Sequence, residues 1–343
     1  MAEPLVKLEK LRKDFPLGRS FFNRVKHSVR AVDDLSMEIF PGESFGLVGE
    51  SGSGKSTIGR CILNLISPSS GRIEFAGKTI FDSERGILLS YKEMLPLRRD
   101  MQVIFQDPTA SLDPRMNIGN IVMEGLKKHR IVERGEAEKR AGDYLELCGI
   151  SRDLSRRRPE EFSGGQKQRI GIARALALRP RFIVADEPLS ALDVSVQSQI
   201  LNLMRSLKKQ FNLTFLFISH DLRTVEYFCD RIGVLYLGSL VEIGVTDDII
   251  NNPLHPYTQV LFSSIPRDMP GLKPVRIPLK GEIPSAINAP PGCKFHTRCP
   301  NSQEICGRQV PAFEKAGDGH FVVCHRWREL LRGRTGDNAG ADI

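Results

Sequence analysis

Apolar and polar residues alternate along Leu5-Val6-Lys7-Leu8-Glu9-Lys10-Leu11 and again along Leu35-Ser36-Met37-Glu38-Ile39. Period-two alternation predicts strands with one buried face. Three short runs, Ser44–Val48, Phe182–Ala185 and Thr214–Ile218, are apolar almost throughout. They predict strands buried on both faces. Helical spacing marks Ile58–Leu65, Ala137–Cys148, Gln166–Leu178 and Ile200–Gln210. Ile232–Leu237 and Leu240–Ile243 flank Gly238 and read as a closing hairpin. Strands alternating with helices predict an α/β core with a parallel sheet. Residues from about 107 to 179 read as a mainly helical subdomain. Past Asn252 the pattern changes: prolines from Pro253 to Pro291 punctuate a stretch with little periodicity. The division expected is a core over 1–252, a separate extension over 253–332 and an unstructured tail over 333–343.

Length and charge narrow the classes. A chain of 343 residues fits one large domain with an appendage. No apolar run approaches the roughly 18–20 residues that span a bilayer. The start, Met1-Ala2-Glu3-Pro4-Leu5, lacks the basic and apolar stretches of a secretory signal. A cytosolic protein is expected, with any membrane role supplied by a partner. The formal charge of +8 is moderate. Its densest stretches, Arg19–Arg30 and Arg152–Arg158, carry no nucleic-acid motif. They read as solvated surface, or as a face for anionic lipid or an acidic partner.

The candidate chemistry begins directly after the run Ser44–Val48. Gly49-Glu50-Ser51-Gly52-Ser53-Gly54-Lys55-Ser56-Thr57 matches G-x4-G-K-S between a strand and a helix. In such a loop, glycine backbone converges N–H groups on phosphate oxygens. Lys55 adds a point charge for the β/γ phosphates, and Ser56 a hydroxyl ligand for Mg²⁺. Asp186-Glu187 closes the strand Phe182–Ala185. Asp186 is placed to reach Mg²⁺, and Glu187 to polarise an attacking water as general base. His220 ends the next buried strand, where it can bond the γ-phosphate. Gln106, after Val103-Ile104-Phe105, can touch Mg²⁺ or the water; on the residues alone it reads equally as a surface loop residue. Phe162-Ser163-Gly164-Gly165-Gln166 opens a helix. Ser163 can cap it while the glycine amides face outward, an anion site with neither lysine nor Mg²⁺ ligand. That suits a phosphate presented by another subunit; the plainer reading is a capped helix.

Gly49–Thr57, Gln106, Ser163–Gln166, Asp186–Glu187, Ser190-Ala191-Leu192-Asp193 and His220 together resemble the ATP-binding subunit of an ABC transporter. The motifs occur in that family's order, over residues 5 to about 250. The resemblance implies a RecA-like P-loop α/β core with an antiparallel β-subdomain and a helical subdomain. It implies two subunits sandwiching two ATPs, with Ser163 and Gly165 reaching the partner's γ-phosphate. Asp193 would face the interface, and Gln106 would report to the membrane subunits. Phe15 matches the adenine-stacking position, where Tyr is commoner. Phe162 stands where Leu is usual.

Leu254-His255-Pro256-Tyr257-Thr258, Gly281-Glu282-Ile283-Pro284, Pro290-Pro291-Gly292-Cys293 and Phe295-His296-Thr297-Arg298-Cys299-Pro300 resemble the oligopeptide/dipeptide permease ATPases. Phe15-Pro16-Leu17, followed by a basic insertion and Arg30-Ala31-Val32-Asp33, resembles the second ATPase of such systems. The resemblance implies a heterodimer with a sister ATPase and two transmembrane permeases at the cytoplasmic face of the membrane. An extracytoplasmic peptide-binding protein would feed them. Related importers of nickel, glutathione or other solutes share these features. A soluble ABC ATPase acting on DNA or ribosomes would carry two cassettes or an inserted module, and neither occurs here.

Of seven cysteines, Cys61, Cys148 and Cys229 stand in apolar surroundings and read as buried thiols. Cys293, Cys299, Cys306 and Cys324 run C-x5-C-x6-C-x17-C in the extension. In a cytosolic chain that crowding favours metal over disulfides. No zinc-type C-x2–4-C knuckle is present. Four thiolates on a proline-rich loop suit a 4Fe–4S cluster, as several members of the resembled family carry, with zinc the alternative. His296, His320 or His325 could replace one ligand. The cluster would be a structural staple for a segment poor in apolar residues. A cysteine-rich, irregular C-terminal extension is therefore expected.

Overall fold

The computed structural model describes residues 3–19, 25–133, 135–263 and 281–337. The two alternating N-terminal segments become long antiparallel strands, β1 (Val6–Arg19) and β2 (Val25–Ile39). Val6, Leu8, Leu11, Leu35, Met37 and Ile39 are buried, as the alternation requires. β3 (Ser44–Val48) is buried at every position. β4 (Ser70–Phe75), β5 (Lys78–Asp82) and β6 (Ile87–Leu88) complete an antiparallel sheet in the order β2-β1-β4-β5-β6. These last three strands are short and broken by glycine turns, so periodicity does not announce them.

The second sheet adds β7 (Met101–Ile104), β8 (Phe182–Asp186), β9 (Thr214–Ile218), β10 (Arg231–Tyr236), β11 (Ser239–Val245), β12 (Glu314–Gly317) and β13 (His320–Val322). Its order is β12-β13-β11-β10-β3-β9-β8-β7. β10, β3, β9, β8 and β7 pair in parallel. β3 lies inside this sheet, between β10 and β9, so the loop after it opens at the sheet's carboxyl edge. Crevices outside the carboxyl ends of parallel strands are where α/β sheets bind ligands. The helices Ile118–Lys128, Glu136–Leu147 and Gly164–Leu176 gather between β7 and β8 in sequence. They pack through Ile121, Leu126, Leu145 and Ile170.

Two expectations change. The chain after Asn252 is less irregular than its prolines imply. It holds a helix, Pro256–Ser263, and the hairpin β12–β13 adds to the core sheet where β13 pairs with β11. Strands of three or four residues are too short to show a period, and their pairing is decided far along the chain. The helix Trp327–Asp337 also runs into the segment read as an unstructured tail. Its first turns, Trp327-Arg328-Glu329-Leu330-Leu331-Arg332, are good helix formers. Residues 338–343 lie outside the described residues, as do 20–24 of the basic stretch and 264–280 with four of the prolines. Among the described residues no helix is long and apolar enough to cross a membrane.

Candidate nucleotide site

β3 ends at Val48, directly before Gly49, and Gly54 is the N-cap of the helix Lys55–Ile62. Between them the backbone folds where only glycine fits. Gly49 has φ +148, and a Cβ there would stand 2.2 Å from the Leu235 carbonyl oxygen. Gly54 has φ +102, and its Cβ would stand 2.1 Å from that of Ala31. No side chain caps this helix, so its first amides face the loop. Ser51 and Gly52 are exposed at the loop's tip, and Thr57 is half-buried. Lys55 is buried and its amine donates to the carbonyls of Gly49 (2.7 Å) and Glu50 (2.9 Å). Burial pulls the pKa of this amine down from the ordinary lysine value, while Glu187, Asp186 and Glu50 oppose that.

The strand-end acids arrive together at the end of β8, with β9 between it and β3. Ser56 Oγ donates to Asp186 Oδ1 at 2.6 Å, which puts hydroxyl and carboxylate together as candidate cation ligands. Gln106 Nε2 donates to Glu187 Oε2 at 2.9 Å. His220 Nδ1 lies 3.4 Å from the same oxygen. Glu187 itself has φ +47, a left-handed backbone unusual for a non-glycine residue. Its amide donates to the Ile218 carbonyl across the sheet, which holds the turn. Gln106, separated from Glu187 by the whole helical subdomain, is thus part of the cluster rather than a loop bystander. A cavity of about 390 Å³ opens beside Glu187, Ser190 and His220.

Phe15 lies on β1 opposite Val29, two residues from the Ala31 carbonyl that crowds Gly54. It is 37% exposed, with the Lys13 ammonium 5.0 Å from its ring centre. Ser163 caps the helix Gly164–Leu176 in a reciprocal capping box with Gln166. Ser163, Gly164 and Gln166 are exposed, and Gly165 packs on Val196. Among the described residues no hydrogen bond or ion pair joins Ser163–Gln166 to the phosphate loop. Asp193 is exposed at the start of the helix Val194–Phe211, makes no side-chain cap, and adjoins Val194, 79% exposed. Ser163, Gly164, Gln166 and Asp193 therefore sit on open surface.

Cys293, Cys299, Cys306 and Cys324 line one small cavity with Phe295, and none is in a disulfide. Burial pushes the Cys293 thiol up to about 12, against a hydrogen bond from the Phe295 amide and with the other three cysteines adding to the rise; Cys324 rises to about 11 and Cys299 rises too, burial again the largest cause. Among the described residues no group of three or more His, Cys, Asp or Glu stands ready to hold a metal ion. Each histidine offered as a substitute ligand has one ring nitrogen engaged. His320 Nε2 pairs with the buried Glu242 at 2.8 Å. His296 Nδ1 lies 2.9 Å from the Cys293 carbonyl, and His325 Nε2 lies 3.0 Å from that of Gln309.

One set of contacts at the loop has no counterpart in the sequence pattern. Arg298 pairs with Glu50 inside the phosphate loop, and Tyr257 accepts from the Glu50 amide. Nothing local signals either, because the partners are far apart in sequence.

Fold and site together define a P-loop ATP-binding cassette. The family described as "ABC transporter" matches residues 32–190, and "Oligopeptide/dipeptide transporter, C-terminal region" matches 241–306. The oligopeptide transport ATP-binding protein AppF of Bacillus subtilis is 46% identical over 325 residues, covering 94% of this chain and 97% of that protein. The putative oligopeptide transport ATP-binding protein YkfD of the same organism is 48% identical over 328 residues, covering 95% and 96%. Among solved structures, the dimeric bacterial ABC transporter cassette MJ0796 superposes with a TM-score of 0.61 at 28% identity, covering 70% of this chain and 98% of that one. The chain belongs to the ABC transporter family, as an ATP-hydrolysing subunit.

Proposed function

We propose that this chain energises the import of peptides. The observation that carries the reading is the joint match of the cassette and of the oligopeptide/dipeptide C-terminal region in one chain, over 32–190 and 241–306. Relatives named for oligopeptide transport support it along nearly their whole length. In this reading the chain sits peripherally on the cytoplasmic face of the membrane. It pairs with a sister ATPase and drives two permeases supplied by an extracytoplasmic peptide-binding protein. Residues 1–252 form the cassette and 253–332 the extension.

The geometry supports the following roles. The loop Gly49–Thr57 cradles the ATP phosphates, with Lys55 on the β/γ oxygens and Phe15 against the adenine. Ser56 and Asp186, with Gln106, would hold Mg²⁺, which neutralises charge developing on the phosphates. Glu187 accepts a proton from the attacking water as the new P–O bond forms and the bond to ADP breaks. Gln106 and His220 both face its Oε2 and fix the carboxylate's direction. Ser163, Gly164, Gly165 and Gln166, exposed as they are, serve the γ-phosphate of the partner's ATP, and Asp193 meets the partner. Two ATPs then close the pair, and hydrolysis reopens it.

The four cysteines of the extension fit an iron–sulfur cluster by their chemistry. They are four free thiols around one cavity, with no carboxylate among its lining residues. When bound, the cluster would staple a segment that is poor in apolar residues. Cys293, Cys299, Cys306 and Cys324 would have to lose their protons, so loading would weaken in acid.

Anaerobic purification of the tagged chain from its native membrane tests these readings together. Two permeases and a sister ATPase, with iron and sulfide, are the expected result. A lone protein, or one on ribosomes or DNA, would overturn the transport reading. Zinc without iron would replace the cluster.

A further inference from the structure

We infer that Arg298, acting through Glu50, is a positioning residue for the phosphate loop. The inference rests on the reading of Gly49–Thr57 as the loop that holds ATP. A carboxylate inside such a loop is an electrostatic liability, because it sits among groups meant to attract phosphate. Here the carboxylate is forked. Arg298 donates from one terminal nitrogen to Glu50 Oε2 at 2.9 Å and from the other to Oε1 at 3.2 Å. Only 6% of the arginine side chain and 22% of the glutamate side chain are exposed. A shielded bidentate pair holds direction as well as charge, unlike a surface pair.

A second part of the chain beyond the cassette, the helix Pro256–Ser263, grips the loop as well. The Glu50 amide donates to the Tyr257 hydroxyl at 2.9 Å, so both backbone and side chain of Glu50 are held by residues beyond the cassette. Lys294 donates to the Leu237 carbonyl at 2.7 Å and to Ser239 Oγ at 2.8 Å, and pairs with Asp33 at 2.8 Å. The adjacent Gly238 amide donates to the Ser53 carbonyl at 2.9 Å. The segment between Cys293 and Cys299 therefore supports the phosphate loop at Glu50 directly and at Ser53 through one hairpin turn.

Two consequences follow for ATP. Arg298 cancels the Glu50 charge that would otherwise repel incoming phosphates. It also fixes the loop before binding, so less freedom is lost when ATP arrives. Arg298 does neither by touching the nucleotide.

The test is a titration of the full-length chain with MgATP, alongside steady-state hydrolysis. Arg298→Gln should weaken ATP binding about ten-fold, on the scale of one charge-assisted pair. It should raise KM with kcat little changed. Arg298→Lys keeps the charge without the fork and should lose roughly three-fold. Glu50→Gln in the Arg298→Gln background should recover part of the loss, because the uncancelled carboxylate is gone. A pair that merely glues the extension would instead lower thermal stability and reduce active protein, leaving the KM of what survives unchanged. Unaltered ATP affinity in Arg298→Lys and Glu50→Gln, or fully additive losses in the double variant, would sink the inference even if Arg298→Gln does not fold. Lys55→Ala is the control: if it still binds ATP, the reading of the phosphate loop fails rather than the role of Arg298.

Discussion

Glu187 combines a left-handed backbone with two side-chain neighbours on one carboxylate oxygen. A strained non-glycine residue persists where the surroundings over-determine it, and such residues cluster at functional sites. The turn lifts the carboxylate off the end of β8, while Gln106 and His220 fix where it points. Replacing Glu187 with Gln keeps size and backbone but removes the proton acceptor. ATP binding should survive and turnover should fall by about a hundred-fold or more. ATP binding by the variant and its phosphate release measure the two effects separately, and turnover near the parent's would remove Glu187 from the chemistry. His220 and Glu187 stand out in the sequence as polar residues ending buried strands. Gln106 does not, since a glutamine after a short strand usually belongs to a loop.

At the scale of the element, the phosphate loop works because two strands crowd it. Leu235, on β10, and Ala31, on β2, present carbonyl oxygens where a side chain would stand at Gly49 and Gly54. Gly54→Ala would force a Cβ against backbone 2.1 Å away, at a φ of +102. The backbone strain alone is on the order of 1–3 kcal/mol, before the clash is relieved. The core should still fold, since the change is confined to the loop. ATP affinity should fall at least roughly ten-fold, about 1.4 kcal/mol, while far-ultraviolet circular dichroism stays unchanged. A variant that binds ATP normally would mean the loop need not be so tight. The motif spacing makes this strand–loop–helix unit legible, but the reason for its glycines lies in strands distant in sequence.

For the whole molecule, the joint between cassette and extension is Glu242. It lies on β11, fully buried. Its carboxylate accepts from the Leu254 amide at 2.7 Å and the His255 amide at 2.9 Å, and meets His320 Nε2 at 2.8 Å. One side chain thereby ties the core sheet to the chain leaving it and to the hairpin returning to it. Glu242→Ala would orphan all three groups in a buried place, a loss of about 3–5 kcal/mol by analogy with broken buried pairs. The thermal midpoint should drop by several degrees, and Glu242→Gln should recover part of it. A midpoint within a degree of the parent's would show that the extension is held elsewhere. Because the extension also supports Glu50 and Ser53, its loss should reach the nucleotide site.

Elements whose signals are local could be read from the chain alone. The apolar runs fixed β3, β8 and β9, since a segment without a polar face has only a sheet interior to occupy. The glycine–lysine–serine spacing fixed the phosphate loop, and the capping serine marked where the helix Gly164–Leu176 opens. Tertiary structure decided what depends on partners remote in the chain. It joined β13 to β11, brought Gln106 to Glu187, and laid the cysteine segment against the phosphate loop through Arg298. A three-residue strand carries no period, and an arginine beside a cysteine carries no record of the glutamate it will meet. Such pairings arise from burial and charge in the folded chain, where proximity no longer follows sequence.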